Sequence, residues 1–377
     1  MKILYISFRF LWKRKLLNVL VLLQVVFSIL CLAQTLSKLD HLMSTRGAVE
    51  KLETDGVYIL RAFSHIQGVF ANKASNALKP FAEIGRLYVK SEESADLVGY
   101  SDEIIRHYQP ALASGRWFAD YEPPNGVIPI VTNAGMKLRV NDTILLPSGI
   151  EGRVIAVLDP NTQYLFPQKG ASPEFYSADN LLSNDGAVMI IPYSMLPEEE
   201  QRTFMPWTEM LIYAHDNVER SEIDRAVART GELTTMASAK DIYENKMRKD
   251  LYFNVTLFLI FFLAAVAGIG GTCMMQNIYN QKIFSIYYLT GMTPKKSAAI
   301  EATRLSLLLM LSIALIFVLA AMNMWDFLGM SERLKRYIYP ISFLYLAIVY
   351  GCSSIGFILS LARGNIVDMI KKFRRER

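Results

Sequence analysis

The sequence predicts an α-helical membrane protein with four transmembrane helices and a large α+β domain outside the bilayer. Two observations support this fold class: four long apolar stretches without a charged residue, and a long polar segment between the first and the second of them. A helix needs roughly 20 apolar residues to cross the hydrocarbon core of a membrane. The four stretches that meet this length are residues 16–36, 251–275, 305–324 and 338–362.

The distribution of charge predicts how these helices are oriented. The segments before the first stretch, between the second and third, and after the fourth contain 15 Lys or Arg and only three acidic residues, whereas residues 40–250 contain 21 basic and 30 acidic residues. Short basic flanks stay in the cytoplasm, while long domains cross the membrane largely regardless of charge. We therefore expect a multi-pass membrane protein with both termini in the cytoplasm. The net charge of +5 sums two compartments and does not indicate nucleic-acid binding.

The first apolar stretch has two interpretations, because a basic start followed by an apolar run is also typical of a cleaved signal peptide. The run is long enough for a full crossing, and no clean cleavage site surrounds Cys31, which favours an uncleaved anchor. Residues 1–15 mix aromatic and basic side chains and predict an amphipathic helix in the headgroup layer. Ordinary aromatic anchoring of the first span explains the same pattern.

The polar segment between the first two spans is expected to mix helices and strands. A strand, a helix and a strand follow one another within residues 50–95 and again within 205–240, which together predict a four-stranded sheet with helices on one face. Residues 96–204 are rich in prolines and short strands and are interpreted as a β-rich subdomain inserted into this sheet domain. Residues 179–185 are expected to form an exposed loop. No cysteine lies in this segment, so no disulfide is expected to stabilise it.

Several short motifs resemble, in the same order, those of MacB-like and FtsX-like ABC transporter permeases. Residues 114–118 (Ser-Gly-Arg-Trp-Phe) are similar to the "GRxF" turn of the family's outer domain, and residues 129–158 resemble the strand, turn and strand that follow it. Residues 291–296 resemble the family's segment after the second span. Residues 365–371 resemble its C-terminal motif, with Ile366 in place of proline. These motifs and the arrangement of one plus three spans extend over nearly the whole chain.

The resemblance implies a permease subunit of the type VII, mechanotransmission class in a bacterial cell (inner or plasma) membrane. In this class a separate cytoplasmic ATPase binds ATP and Mg²⁺. The permease pairs with a second copy or a paralogue, and ATP-driven motion reaches the outer domain without a substrate passing through the lipid. Export of, or resistance to, peptides or antibiotics is the implied role. The alternatives are an FtsX-like scaffold that activates a cell-wall hydrolase and a sensor of extracellular peptides. An extracytoplasmic peptide, lipoprotein or hydrolase would then be a further partner.

The segment after the second span is the expected contact with the ATPase. Thr293 is predicted to cap the next helix and Pro294 to occupy its first position. Lys295 and Lys296 would then lie in a first turn, where the helix dipole disfavours cations, so lipid headgroups or an acidic groove on a partner should favour them. Neighbouring aromatic side chains favour the partner, because aromatics are enriched at interface cores. The expected coupling residues are Phe284, Tyr287, Tyr288, Gly291, Met292, Thr293, Lys295, Lys296, Asn365, Asp368 and Lys371.

Small residues within the second and fourth spans predict close packing of transmembrane helices, either within the chain or across a dimer. The expected packing positions are Gly268, Gly270, Gly271, Gly351 and Gly356. With the resemblance, the predicted segments are the amphipathic helix (1–15), the first span (16–36), the extracytoplasmic domain (37–250), the second span (251–275), the cytoplasmic coupling segment (276–304), the third span (305–324), an outer loop (325–337), the fourth span (338–362) and a basic cytoplasmic tail (363–377).

Enzymatic motifs are missing from the sequence. No phosphate-binding loop of the pattern G-x-x-x-x-G-K-[ST] occurs, so the chain is not expected to hydrolyse ATP itself. The four histidines have neither metal-ligand spacing nor a neighbouring cysteine. We therefore expect no catalytic, metal or cofactor site in this chain and assign ATPase activity to a partner subunit.

Overall fold

A computed structural model gives the structure of the chain. It describes residues 2–13, 15–52, 56–62, 69–92, 95–122, 124, 126–146, 149–160, 162–166, 181–184, 186–229, 231–291 and 293–363. The chain divides into two compact units. The membrane unit comprises Met1–Leu39 and Lys249–Arg377, and the sheet domain comprises Asp40–Arg248. Four helices are long and apolar enough to cross a membrane, at Lys15–Leu52, Met236–Thr272, Ala299–Ala321 and Leu334–Ser354. The predicted fold class, four transmembrane helices with a mixed sheet domain, is confirmed.

The short helices and strands of the sheet domain lie between long apolar helices in the chain. In chain order the helices are α1 (Lys2–Lys13), α2 (Lys15–Leu52), α3 (Val69–Leu78), α4 (Asp102–His107), α5 (Glu198–Gln201), α6 (Arg220–Val227), α7 (Met236–Leu289), α8 (Pro294–Ala321), α9 (Met324–Phe327) and α10 (Glu332–Arg363). The strands are β1 (Val57–Ala62), β2 (Ala82–Ser91), β3 (Asp96–Tyr100), β4 (Leu112–Gly115), β5 (Ile128–Thr132), β6 (Thr143–Leu145), β7 (Glu151–Leu158), β8 (Tyr164–Leu165), β9 (Leu182–Ser183), β10 (Val188–Pro192), β11 (Met205–Ala214) and β12 (Gly231–Thr235).

One sheet organises the sheet domain, with the strand order β12-β1-β11-β2-β3-β10-β5-β7-β4 and with β6 paired to β7. Its first four strands belong to the two predicted strand–helix–strand units, β1-α3-β2 and β11-α6-β12. The inserted segment continues the same sheet, because β3 pairs antiparallel with β2. A strand as long as β2 would otherwise leave a row of unpaired backbone groups at an edge. Only β8 and β9, among the described strands, form a separate pair.

Strand β1 buries side chains on both of its faces. On β1, Leu60 faces a cluster that includes Ala74 of α3 and Ile223 of α6. Its neighbour Ile59 points the other way, into a cluster that includes Val49 of α2 and Tyr243 of α7. Successive side chains of a strand alternate between faces, so one strand can serve both cores. Within the sheet domain, the ends of α2 and α7 therefore pack directly against the sheet.

The described part of residues 179–185 differs from the prediction of an exposed loop. Leu181, Leu182 and Ser183 are buried, and the latter two form β9. The leucines join the same apolar core as Tyr164 of β8. The prediction was wrong for these residues because burying two leucines outweighs the polar composition around them.

The membrane unit has an apolar core of its own. Val25 of α2, Ala265 of α7, Leu308 of α8 and Val349 of α10 belong to one buried cluster. The hydroxyl of Ser353 donates to the carbonyl oxygen of Val349 at 2.7 Å. In a bilayer, such bonding of a hydroxyl to a backbone carbonyl satisfies a polar group that water cannot reach.

Candidate coupling site

The turn between α7 and α8 depends on a glycine. Gly291 follows the end of α7 with a φ of +92°, a backbone conformation that residues with a side chain rarely adopt. A Cβ atom at this position would meet nothing within 4 Å. The requirement for glycine is therefore one of backbone conformation and not of space. The amide of Thr290 closes the last turn by donating to the carbonyl oxygen of Ile286 at 3.1 Å.

Helix α8 begins at Pro294, as predicted, with Thr293 at its N-cap position. The Thr293 side chain makes no capping hydrogen bond and is exposed. The Lys296 amide instead donates to the carbonyl oxygen of Thr293 at 2.9 Å, and the Lys296 side chain is exposed. A cation in the first turn of a helix is disfavoured by the helix dipole. The turn thus presents an exposed hydroxyl and an exposed cation at the start of α8.

The side chains of the other predicted coupling residues are not described by the structure. The backbone of α7 and α8 is described at four of these positions, but their side chains are not: Phe284, Tyr287, Tyr288 and Lys295. Met292 and the C-terminal Asn365, Asp368 and Lys371 lie outside the described residues altogether. These assignments stay predictions.

Helix α1 packs against the first turns of α8. The hydroxyl of Ser7, which is fully buried, donates to the carbonyl oxygen of Ile300 at 2.8 Å. The Asn18 side chain of α2 donates to the carbonyl oxygen of Leu11 at 2.8 Å and so fastens the end of α1 to α2. The segment that follows the Gly291 turn is therefore connected to α2 through α1.

The opposite face of α1 is aromatic and exposed. Tyr5, Phe8 and Trp12 are 68%, 59% and 69% exposed, and the rings of Phe8 and Trp12 stack with centroids 6.3 Å apart. Aromatic rings at this density on a basic helix are typical of a helix that lies in the headgroup region of a membrane. A position of this helix in the headgroup layer stays a prediction.

Helix α8 contains a buried ion pair that was not predicted from the sequence. Nε of Arg304 lies 2.7 Å from Oε2 of Glu301, and the two side chains are 0% and 2% exposed. The sequence places both residues in the segment before the third span. The signal that could have found the pair is the spacing of three residues, which brings opposite charges together on one helix face.

The predicted packing glycines have different surroundings. A Cβ atom on Gly268 would clash with Oε1 of Gln24, so α2 and α7 approach closely at this point. At Gly270, Gly271 and Gly351, a Cβ atom would meet nothing within 4 Å. The surroundings of Gly356 lie outside the described side chains. Among the described glycines of the spans, Gly268 is where an added Cβ atom would require a side chain of another helix, Gln24, to shift.

Gly268→Leu is expected to lower the free energy of unfolding by about 1–3 kcal/mol, because the new side chain must displace Gln24 from a packed interface. Gly270→Leu is the matched control, since it adds the same side chain two residues away in open space. Unfolding by titration with SDS in mixed micelles measures both. Equal stability of the two variants would contradict the close approach of α2 and α7 at Gly268.

Within the described residues, no group of three His, Cys, Asp or Glu side chains could hold a metal ion. The described polar groups of the candidate coupling site are Ser7, Thr293, Lys296 and the Glu301–Arg304 pair. Ser7 and the Glu301–Arg304 pair are buried, whereas Thr293 and Lys296 are exposed.

No protein-family model matches the chain, and no curated protein matches its sequence. Among solved structures, the chain is similar to the crystal structure of the periplasmic region of MacB from Actinobacillus actinomycetemcomitans, with 15% identity and a TM-score of 0.31 over 50% of this chain and 92% of that chain. It is also similar to the extracellular domain of the noncanonic ABC-type transporter YknZ from Gram-positive bacteria. That match has 11% identity and a TM-score of 0.25 over 45% of this chain and 87% of that chain.

Proposed function

We propose that this chain is the permease subunit of a MacB-like ABC complex, in which a separate cytoplasmic ATPase moves the sheet domain on the outer side of the membrane. The observation that carries the proposal is helix α7, which is continuous over 54 residues. Its first residues pack against the sheet, and its last residue precedes the Gly291 turn. A continuous helix is an element that can pass a displacement from one of its ends to the other.

The turn between α7 and α8 supports the position of the ATPase. Thr293 and Lys296 are exposed there. Helix α1 connects the start of α8 to α2, which is itself continuous over 38 residues. A displacement of the turn would therefore act on both helices that pack against the sheet. The basic segments around this turn and at the termini would lie in the cytoplasm, in keeping with the positive-inside rule.

We assign ATP and Mg²⁺ to the partner ATPase and no catalytic role to this chain, because the sequence has no phosphate-binding loop. Two permease copies, or this chain and a paralogue, would form the dimer. The work done by the sheet domain is export of, or resistance to, a peptide or an antibiotic. This is mechanotransmission, and it requires no path for a substrate through the spans.

Purification from the native membrane in mild detergent tests the proposal. We expect a stoichiometric ATPase with a nucleotide-binding loop, and we expect the variant Lys295→Glu/Lys296→Glu to lose it. The matched control is Lys79→Glu/Arg229→Glu, which makes the same change in charge at exposed positions of the sheet domain and should keep the ATPase. Recovery of the chain alone, or only with an extracellular hydrolase or a histidine kinase, would contradict the proposal.

A further inference from the structure

A short segment of the sheet domain connects α2 to the core of the sheet. This segment, residues 162–166, is called the strap. It contains β8, which pairs with β9, and the Phe166 amide donates to the carbonyl oxygen of Leu181 at 2.8 Å. Its residues Gln163, Tyr164 and Leu165 are 2%, 1% and 0% exposed. The strap is therefore an irregular segment that is buried within the domain.

On one side, the side chain of Gln163 bonds the strap to α2. Nε2 of Gln163 lies 3.1 Å from Nδ1 of His41 and donates to the hydroxyl of Ser44 at 3.2 Å. The ring of His41 in turn contacts the ring of Tyr243 of α7, edge to face, with centroids 6.1 Å apart. One buried amide thus contacts α2 directly and reaches α7 through one further ring.

On the other side, the strap is bonded to the sheet by two buried tyrosines. The hydroxyl of Tyr108, just after α4, donates to the carbonyl oxygen of Gln163 at 3.0 Å. The hydroxyl of Tyr100, the last residue of β3, donates to the carbonyl oxygen of Leu165 at 2.8 Å. Burial raises the pKa of both tyrosines, so both hydroxyls stay protonated and remain donors.

These contacts differ in kind from the apolar contacts around them. Apolar contacts are non-directional, so two helices or a helix and a sheet can slide without losing them. A buried hydrogen bond is directional, and moving one partner away leaves a polar group without water or partner. Moving α2 relative to the strap, or the strap relative to the end of β3, would therefore break these bonds.

We propose that Gln163 is the positioning residue through which a displacement of α2 reaches the inserted half of the sheet. The route runs from His41 and Ser44 through the strap to Tyr100 and Tyr108. This inference rests on the proposed function, since it assigns the contact by which the helix motion enters the sheet domain. Strands β3, β10 and β5, which follow one another in the sheet, are the elements that move.

The test compares amide hydrogen exchange in the full chain, purified with its ATPase, in the absence of nucleotide and with Mg-ATP and vanadate. Gln163→Leu removes the side-chain bonds at nearly constant volume. Ser44→Ala removes one acceptor and is the milder variant. Gln201→Leu is the matched control, because the Gln201 amide bonds only locally, to the carbonyl oxygen of Leu196 at 2.7 Å.

Without nucleotide, Gln163→Leu should raise exchange in the strap and β9 by roughly tenfold, while Gln201→Leu leaves it unchanged. With Mg-ATP and vanadate, the wild-type and Gln201→Leu complexes should change exchange in both α2 and β3. Gln163→Leu should keep the change in α2 and lose the change in β3, and Ser44→Ala should weaken the change in β3. A role in stability alone would not separate these two responses.

Two results would overturn the inference, and they differ from each other. A nucleotide-dependent change in β3 that persists in Gln163→Leu would exclude the strap as the route and leave the proposed function intact. A wild-type complex with no nucleotide-dependent change in either α2 or β3 would contradict the proposed function, and the inference with it.

Discussion

Arg304→Ala is expected to lower the free energy of unfolding of the chain by about 3–5 kcal/mol, the largest effect of any single substitution considered. The Glu301 carboxylate is buried beside the start of α8, and Arg304 is its counter-charge at 2.7 Å. Removing the guanidinium leaves a buried charge uncompensated. Glu301→Ala should be destabilising for the reciprocal reason.

A double substitution distinguishes the electrostatic contribution of the ion pair from the packing of its two side chains. Replacing a buried ion pair with apolar residues of similar volume is often neutral or stabilising, so Glu301→Leu/Arg304→Met should be more stable than either single variant. SDS titration of the purified chain in mixed micelles measures all of these variants. Two results would contradict the assignment of a buried pair. One is single variants as stable as the wild type; the other is a double variant whose loss of unfolding free energy equals the sum of the two single losses.

Gly291→Pro is expected to abolish coupling between the ATPase and the sheet domain while leaving membrane insertion intact. Gly291 has a φ of +92°, whereas the proline ring fixes φ near −65° and removes the amide hydrogen. The turn must then refold, and the start of α8 moves away from its place under α1. Insertion depends on the apolar helices and not on this turn.

The measurement is the ATP-dependent response of the sheet domain in the purified complex, together with the amount of chain in the membrane. Gly126→Pro is the matched control, because Gly126 has a φ of +82° and equally open surroundings in a loop of the sheet domain. The control should keep the response. A normal response in Gly291→Pro would contradict the role of the turn.

The helices and the two strand–helix–strand units could be predicted because their signals are local. Apolar runs of 20 residues or more predict spanning helices. The strand-forming residues behind Gly56 and the break at Pro80 after α3 mark the first unit. The start of α8 was predicted from Thr293 and Pro294, since a proline is favoured in the first turn of a helix. These features depend on neighbouring residues alone.

The features that were missed depend on contacts distant in sequence. Strand β3 is short and contains Gly99, and it forms because β2 and β10 flank it in the sheet. Gly268 was predicted as a packing position, but only the contact with Gln24, on another helix, distinguishes it from Gly270 and Gly271. The strap is recognised only when His41 and Tyr108 are both known to bond to Gln163. No pattern within a window of sequence contains such information.

The most direct test of the central claim is a distance between the two sheet domains of the proposed dimer. Leu145 of β6 is 77% exposed. A spin label on the variant Leu145→Cys would report this distance after Cys31, Cys273 and Cys352 are replaced with alanine. The account predicts a distance distribution that shifts between the nucleotide-free complex and the complex with Mg-ATP and vanadate. The same distribution in both states would contradict it.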